Sequence, residues 1–232
     1  MSNTYVDTES PSVSVVPSTV AASGMRRRAL LGLLAAAAVP LGRSAMAAPF
    51  ASDPVATIQH LNDALLGAMK AGGRAGFSQR FAALAPAVDQ AFDLPGVLSV
   101  SVGPGWATLS PEQQSRLLDA FRRYTIASYV ASFDSYNGQT FTVSPATRDL
   151  GAGRVVVQSR ITPTNGDGTQ LDYVVKQTPA GWKVVDVLAA GSISRVAVQR
   201  SDFRHLLSSG GGDALLASLQ RKTADLSGGA VA

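Results

Sequence analysis

The chain has 232 residues, 46% of them apolar and 16% charged, too greasy for a disordered chain and sized for one domain plus a short extra segment. A net charge of +4 and a pI near 9.7 raise nucleic acid or an anionic membrane as partners. Four of the twenty basic residues (Arg26, Arg27, Arg28, Arg43) and two of the sixteen acidic ones (Asp7, Glu9) precede Ala48, however. Residues 48–232 therefore carry a net charge of only +2, and nucleic-acid binding loses its main support.

Residues 1–24 are polar, rich in Ser, Thr and Val, and without periodicity, so they are expected to be disordered, whether translation starts at Met1 or Met25. Arg26-Arg27-Arg28 then precedes an apolar run of about 11 residues ending at Val39, followed by Ala45-Met46-Ala47. This is an export signal over 25–47, cut between Ala47 and Ala48. The run is too short for a hydrocarbon core that needs ~20 residues. Paired arginines before Leu30-Leu31 resemble a twin-arginine signal; an ordinary Sec signal is the alternative. An exported chain could use disulfides, but this one has no cysteine, which also excludes thiolate metal sites.

The remainder, 48–232, reads as a single domain. Asp53-Pro54 is a cap followed by a proline suited to a first helical turn, and Val55, Ile58, Leu61, Leu65 and Met69 recur at helical spacing until Gly72-Gly73. A second helix carries Phe77, Phe81, Leu84, Val88 and Phe92, with Pro86 as a kink or break. Pro95, Gly96, Gly103, Pro104 and Gly105 mark a loop with a short helical turn inside it. Ser110-Pro111-Glu112-Gln113 is a capping box opening a helix over 110–134.

From residue 139 the apolar period changes to two. Phe141 and Val143 start one expected strand, and others are expected at Val155–Ile161, Leu171–Lys176 and Trp182–Leu188, with Asn165-Gly166-Asp167-Gly168 as a turn. The fold class that follows is α+β: a four-stranded antiparallel sheet with one apolar face covered by N- and C-terminal helices. Helix returns around Phe203, Leu206 and Leu207, breaks at Gly210-Gly211-Gly212, and resumes with Asp213 as cap. Residues 228–232 read as a frayed, disordered tail.

Catalytic motifs are scarce. The two histidines, His60 and His205, sit far apart on separate helices with no metal-ligand spacing, and neither a G-x-S-x-G elbow nor a phosphate-binding glycine loop with its lysine occurs. Asp186 is the carboxylate of interest, because strict alternation from Trp182 puts it on the apolar face with Val184. There it is either a general base in a greasy cavity or a structural acceptor holding the turn before Gly191-Ser192 or pairing with Arg195.

One resemblance spans about 53–225. Phe92-Asp93-Leu94, Gly105-Trp106, Leu109 to Gln114, Tyr136 to Gln139, Trp182 to Val187, Gly191 to Ser194 and Arg200-Ser201-Asp202-Phe203 follow one another as in MlaC-like proteins, the toluene-tolerance family. Segments such as FRRYTIASYVASFDSY are most similar to its hopanoid-biosynthesis-associated branch, HpnM. The chain departs from the family's usual Tyr-Asp and Glu-Gly pairs at Val185-Asp186 and Ala190-Gly191.

The resemblance implies a periplasmic carrier with an NTF2-like sheet wrapped by helices around an apolar cavity. Such a carrier is an ABC-transporter auxiliary component that holds phospholipid or hopanoid lipid. It exchanges its passenger with inner-membrane, and possibly outer-membrane, transporter complexes, without cofactor or covalent chemistry. The lining residues expected on that basis are Phe92, Val97, Leu98, Tyr124, Val157, Ile161, Tyr173 and Val175. Two other readings stay open: an isomerase or lyase using Asp186, and a ligand-free envelope adaptor.

Overall fold

Asp53 accepts a hydrogen bond from the Val55 N–H at 3.0 Å, which caps α1 (Pro54–Ala71) where its first orphan donors need a partner. The computed structural model describes residues 53–231; the expected leader and the expected Ala47–Ala48 cleavage site fall outside the described residues. Gly72 ends α1 at positive φ. The next helix, α2 (Phe77–Ala91), runs through Pro86 as one continuous helix.

The stretch expected to be mostly loop is instead a nine-residue helix, α3 (Leu94–Val102), followed by a 3-10 segment over Gly103–Thr108. Asp93 caps α3 through the Gly96 N–H at 3.0 Å, and Pro95 sits in the first turn, where a missing N–H costs nothing. Proline and glycine, read as loop punctuation, are here the opening turn of a helix. The long helix α4 (Pro111–Ser132) starts on the expected capping box, with Ser110 and Gln113 each bonding the other's backbone.

Five strands follow, not four: β1 (Thr140–Gly151), β2 (Arg154–Thr162), β3 (Thr169–Thr178), β4 (Gly181–Ala189) and β5 (Ile193–Ser194), antiparallel and in sequence order. β5 is only two residues long, so it leaves no alternation to read; its sequence looks like the turn that precedes it. Pro145 falls in the register break of β1, an edge strand, where no ladder donor is missed.

The register of β4 also slips. Val175 faces Val184, but Val174 faces Asp186, so Val185 is an extra residue. The side-chain alternation therefore inverts after Val184. Tyr173 and Val187 pair on the face that carries Val175 and Val184, and Asp186 pairs with Val174 on the opposite one. The expectation that Asp186 shares a face with Val184 fails for this reason: strict alternation assumes no bulge.

The last helix, α5 (Arg195–Ser227), loses helical geometry at Gly210 and Gly211, as the triple glycine suggests, and Asp213 beyond the break faces Arg116 at 3.7 Å. In the tail read as frayed, the Ala230 carbonyl accepts from Ser78 Oγ at 2.9 Å. One core joins the inner sheet face (Val157, Tyr173, Val175, Val184) to Leu61 and Leu65 of α1, Phe121 and Ile126 of α4, and Phe203 and Leu215 of α5. The corner between α2 and α3 is stitched to the sheet, since the Asp93 N–H donates to the Val184 carbonyl at 3.0 Å. No helix among the described residues is long and apolar enough to cross a membrane.

Candidate functional site

A pocket of about 270 Å³ opens between α4, the early part of β3, the late part of β4 and the start of α5, with Phe92, Leu94 and Val97 closing one end. It exists because of one face of α4. Phe121, Tyr124, Thr125, Ser128, Tyr129, Ser132 and Phe133 all line it, at the spacing that puts residues on one helical stripe. A core helix would fill such a stripe with Leu or Ile. Here three of the seven positions carry short hydroxyl side chains, and the space they leave is the pocket.

Two of the three hydroxyls make no demand on the pocket for hydrogen bonds. Thr125 Oγ1 donates to the Phe121 carbonyl and Ser128 Oγ to the Tyr124 carbonyl, each at 2.8 Å, so they are satisfied within the helix. The aromatic residues beside them form a continuous row. Tyr129 lies 5.7 Å from Phe92 and 6.0 Å from Phe133 between ring centroids, and Phe133 lies 5.9 Å from Phe141. Lys222 Nζ stands 5.9 Å from the centre of the Tyr124 ring.

The eight expected lining residues divide evenly. Phe92, Val97, Tyr124 and Tyr173 line the pocket. Leu98, Val157 and Val175 are fully buried in solid core, and Ile161 is half-buried near the β1 end of the sheet, opposite Phe141 and Thr169. The division has a geometric cause. Helix α1 packs over β1 and β2, with Asn62 Nδ2 donating to Ser159 Oγ at 3.0 Å, and fills that part of the inner face. The part beyond it, with Leu171, Tyr173, Val187 and Ala189, borders the pocket. Strand alternation cannot tell a covered from an uncovered stretch of one face. The missed hydroxyl positions on α4 carried a readable signal, small residues at helical spacing between aromatic ones.

The polar groups gather at one side. Asp186, also in the pocket wall, is fully engaged: it accepts from the Val187 N–H at 2.7 Å, from Ser194 Oγ at 2.5 Å and from the Val196 N–H at 3.1 Å. It is the acceptor that fastens the last turn of the sheet to the first turn of α5, whose exposed N–H groups favour a carboxylate. Arg195 is exposed at the rim and does not bridge to it. Tyr173 is completely buried, and its hydroxyl has no hydrogen-bond partner. Burial pushes its ionisation well above the ordinary phenol range. Burial does the same to Tyr129, reinforced by Tyr173 and opposed by Arg195. His60 and His205 are both exposed, and among the described residues no three His, Cys, Asp or Glu side chains gather to hold a metal.

Comparison with known proteins adds three findings. A family model described as MlaC protein matches residues 59–221. The toluene tolerance protein ttg2D of Pseudomonas putida is 33% identical over 82 residues, or 35% of this chain and 38% of that protein, so the match spans well under half the relative's length. A solved structure of a phospholipid-binding protein from Ralstonia solanacearum, in complex with a phospholipid, is similar with a TM-score of 0.66. It is 26% identical, and the likeness covers 75% of this chain and 98% of that one.

Proposed function

Since the chain belongs to the MlaC family, we propose that it is a periplasmic carrier that holds a phospholipid by its acyl chains and hands it to membrane transporter complexes. The observation that carries this reading is the pocket itself: an aromatic-walled hollow whose helical side carries short hydroxyls, two of them satisfied within the helix. A 16-carbon chain left in water costs on the order of 12 kcal/mol, at ~0.8 kcal/mol per methylene. A hollow lined by rings and methylenes recovers much of that; a flat surface does not.

Size refines the reading. At about 270 Å³ the pocket falls just below the ~300–1,000 Å³ usual for ligand clefts. A hollow of this size suits one acyl chain at most, and a second needs more space than it offers. On this reading the sheet and its wrapping helices are an NTF2-like cradle, and the carrier does no covalent chemistry. Asp186, with three donors on its two oxygens, is a poor candidate for a general base. Arg195 at the rim suits a phosphate. The expected passenger is a phospholipid, as in the Ralstonia protein; a hopanoid, whose fused rings need a broader hollow, fits this volume less well.

The test is extraction of the protein from its own periplasm followed by native mass spectrometry and lipid analysis. Co-purifying phospholipid at near one per chain is expected. Bare polypeptide in repeated preparations, together with no uptake of added phospholipid, would overturn the carrier reading.

A further inference from the structure

Buried phenols nearly always find a hydrogen-bond partner, and one that does not keeps the full cost of its lost hydration. Tyr173 is such a case, in the wall of the pocket. Its register partners on both sides, Val157 and Val187, are apolar and offer no side-chain oxygen or nitrogen. The hydroxyls of Thr125 and Ser128 across the pocket are committed to carbonyls of α4, and Asp186 is committed to the start of α5. The missing partner is therefore sought in the ligand.

We propose that the Tyr173 hydroxyl donates a hydrogen bond to an acyl carbonyl oxygen of the bound lipid, and so sets both the depth of the chain and the chemistry of its linkage. An acceptor-only oxygen is the group that fits. A ligand hydroxyl would bring a donor of its own into a wall with few free acceptors, whereas an ester carbonyl brings none. The order of polar groups points the same way. Arg195 is exposed at the rim, Tyr129 is half-buried and feels both Arg195 and Tyr173, and Tyr173 is fully enclosed. A glycerophospholipid carries phosphate, then ester carbonyl, then hydrocarbon in the same sequence. The inference rests on the carrier reading above and narrows it to acyl rather than alkyl lipids. The same carbonyl chemistry belongs to a free fatty acid, which the experiment separates.

The experiment measures equilibrium binding to delipidated full-length protein of three probes: dihexanoyl phosphatidylcholine, its dihexyl ether counterpart without carbonyls, and hexadecanoate. The ester lipid is expected to bind about five- to tenfold more tightly than the ether, the size of one buried hydrogen bond. Tyr173→Phe should erase that ratio while leaving ether binding within about twofold. Because the substitution only removes an orphan hydroxyl, its fold should hold; Tyr124→Phe, on the same pocket, should keep the ratio. Equal affinities for ester and ether in the wild type, or a ratio that survives Tyr173→Phe, would overturn the assignment. Sensitivity of hexadecanoate alone to Tyr173→Phe would transfer it to free fatty acids. Failure to bind either phospholipid would sink the carrier reading itself, a separate result.

Discussion

Asp186 Oδ1 accepts a hydrogen bond from the backbone N–H of Val196, ten residues on, at 3.1 Å. Its two oxygens also hold the Val187 N–H and the Ser194 hydroxyl, so one carboxylate joins β4, β5 and the first turn of α5 at the edge of the pocket. The bulge at Val185 makes this possible by setting Asp186 opposite Val174 in the ladder, beside the start of α5 at the pocket wall.

A structural role for that carboxylate predicts a graded response. Asp186→Asn keeps one acceptor oxygen and should lose only about 1 kcal/mol, while Asp186→Ala orphans the donors around it and should lose about 2–4 kcal/mol. In a domain of this size the second corresponds to a fall in Tm of roughly 5–15 °C. Thermal melts give both numbers. Lipid occupancy of Asp186→Asn should match the wild type, and a large loss of function without loss of stability would instead return Asp186 to a chemical role.

The pocket and the core should answer differently to the same bulky side chain. Ser128→Trp enters open space, so lipid affinity should drop at least about tenfold while Tm moves by a few degrees at most. Val175→Trp enters a site with no room, and overpacking of about 3 kcal/mol should lower Tm by roughly 6–12 °C. Should Val175→Trp block lipid without touching stability, the lipid would lie deeper beneath α1 than the open hollow reaches.

These two substitutions mark what could be read from the chain and what could not. Caps and periods are local, so Asp53, the Ser110–Gln113 box and the alternating strands announced four of the five helices and four of the five strands. The face of each strand was legible up to the bulge at Val185, since an inserted residue leaves no compositional trace among valines. Which part of the inner face stays uncovered was not legible at all. That depends on where α1 comes to rest, and Val157 beneath it has the same apolar character as Val187 in the open. Tyr173 could be named from its alternation, but its orphan hydroxyl is a property of its neighbours and appears only in three dimensions.

Gly211 supplies a backbone prediction independent of any ligand. Its φ of 64° and ψ of −155° lie in a region open essentially to glycine alone, although nothing stands within 4 Å of the point where a Cβ would sit. Gly211→Ala should therefore cost about 1–3 kcal/mol from backbone strain and not from a clash. Gly73→Ala, also in open space but without a positive φ, should be neutral or stabilising by about 0.4–1 kcal/mol. Chemical denaturation of the pair checks this. Equal effects would mean that the break in α5 relaxes freely.

Alkaline titration tests the enclosure on which the ligand argument depends. Tyr129 and Tyr173 have phenols held above the ordinary value of 10.0 chiefly by burial. A raised acid pKa means the unfolded chain gives up these protons before the folded one does. The stability they confer is complete below pH 10 and drains away as pH climbs above it, because each unfolded phenolate is favoured where the buried phenol is not. Absorbance at 295 nm should thus show the ionisation of Tyr129 and Tyr173 delayed until the fold gives way, with Tm falling as pH rises past 10. Tyr173→Phe should remove one delayed ionisation and flatten that fall. If Tyr129 and Tyr173 instead ionise near pH 10 while the protein remains folded, water reaches Tyr173, its hydroxyl is no orphan, and a ligand carbonyl has nothing to replace.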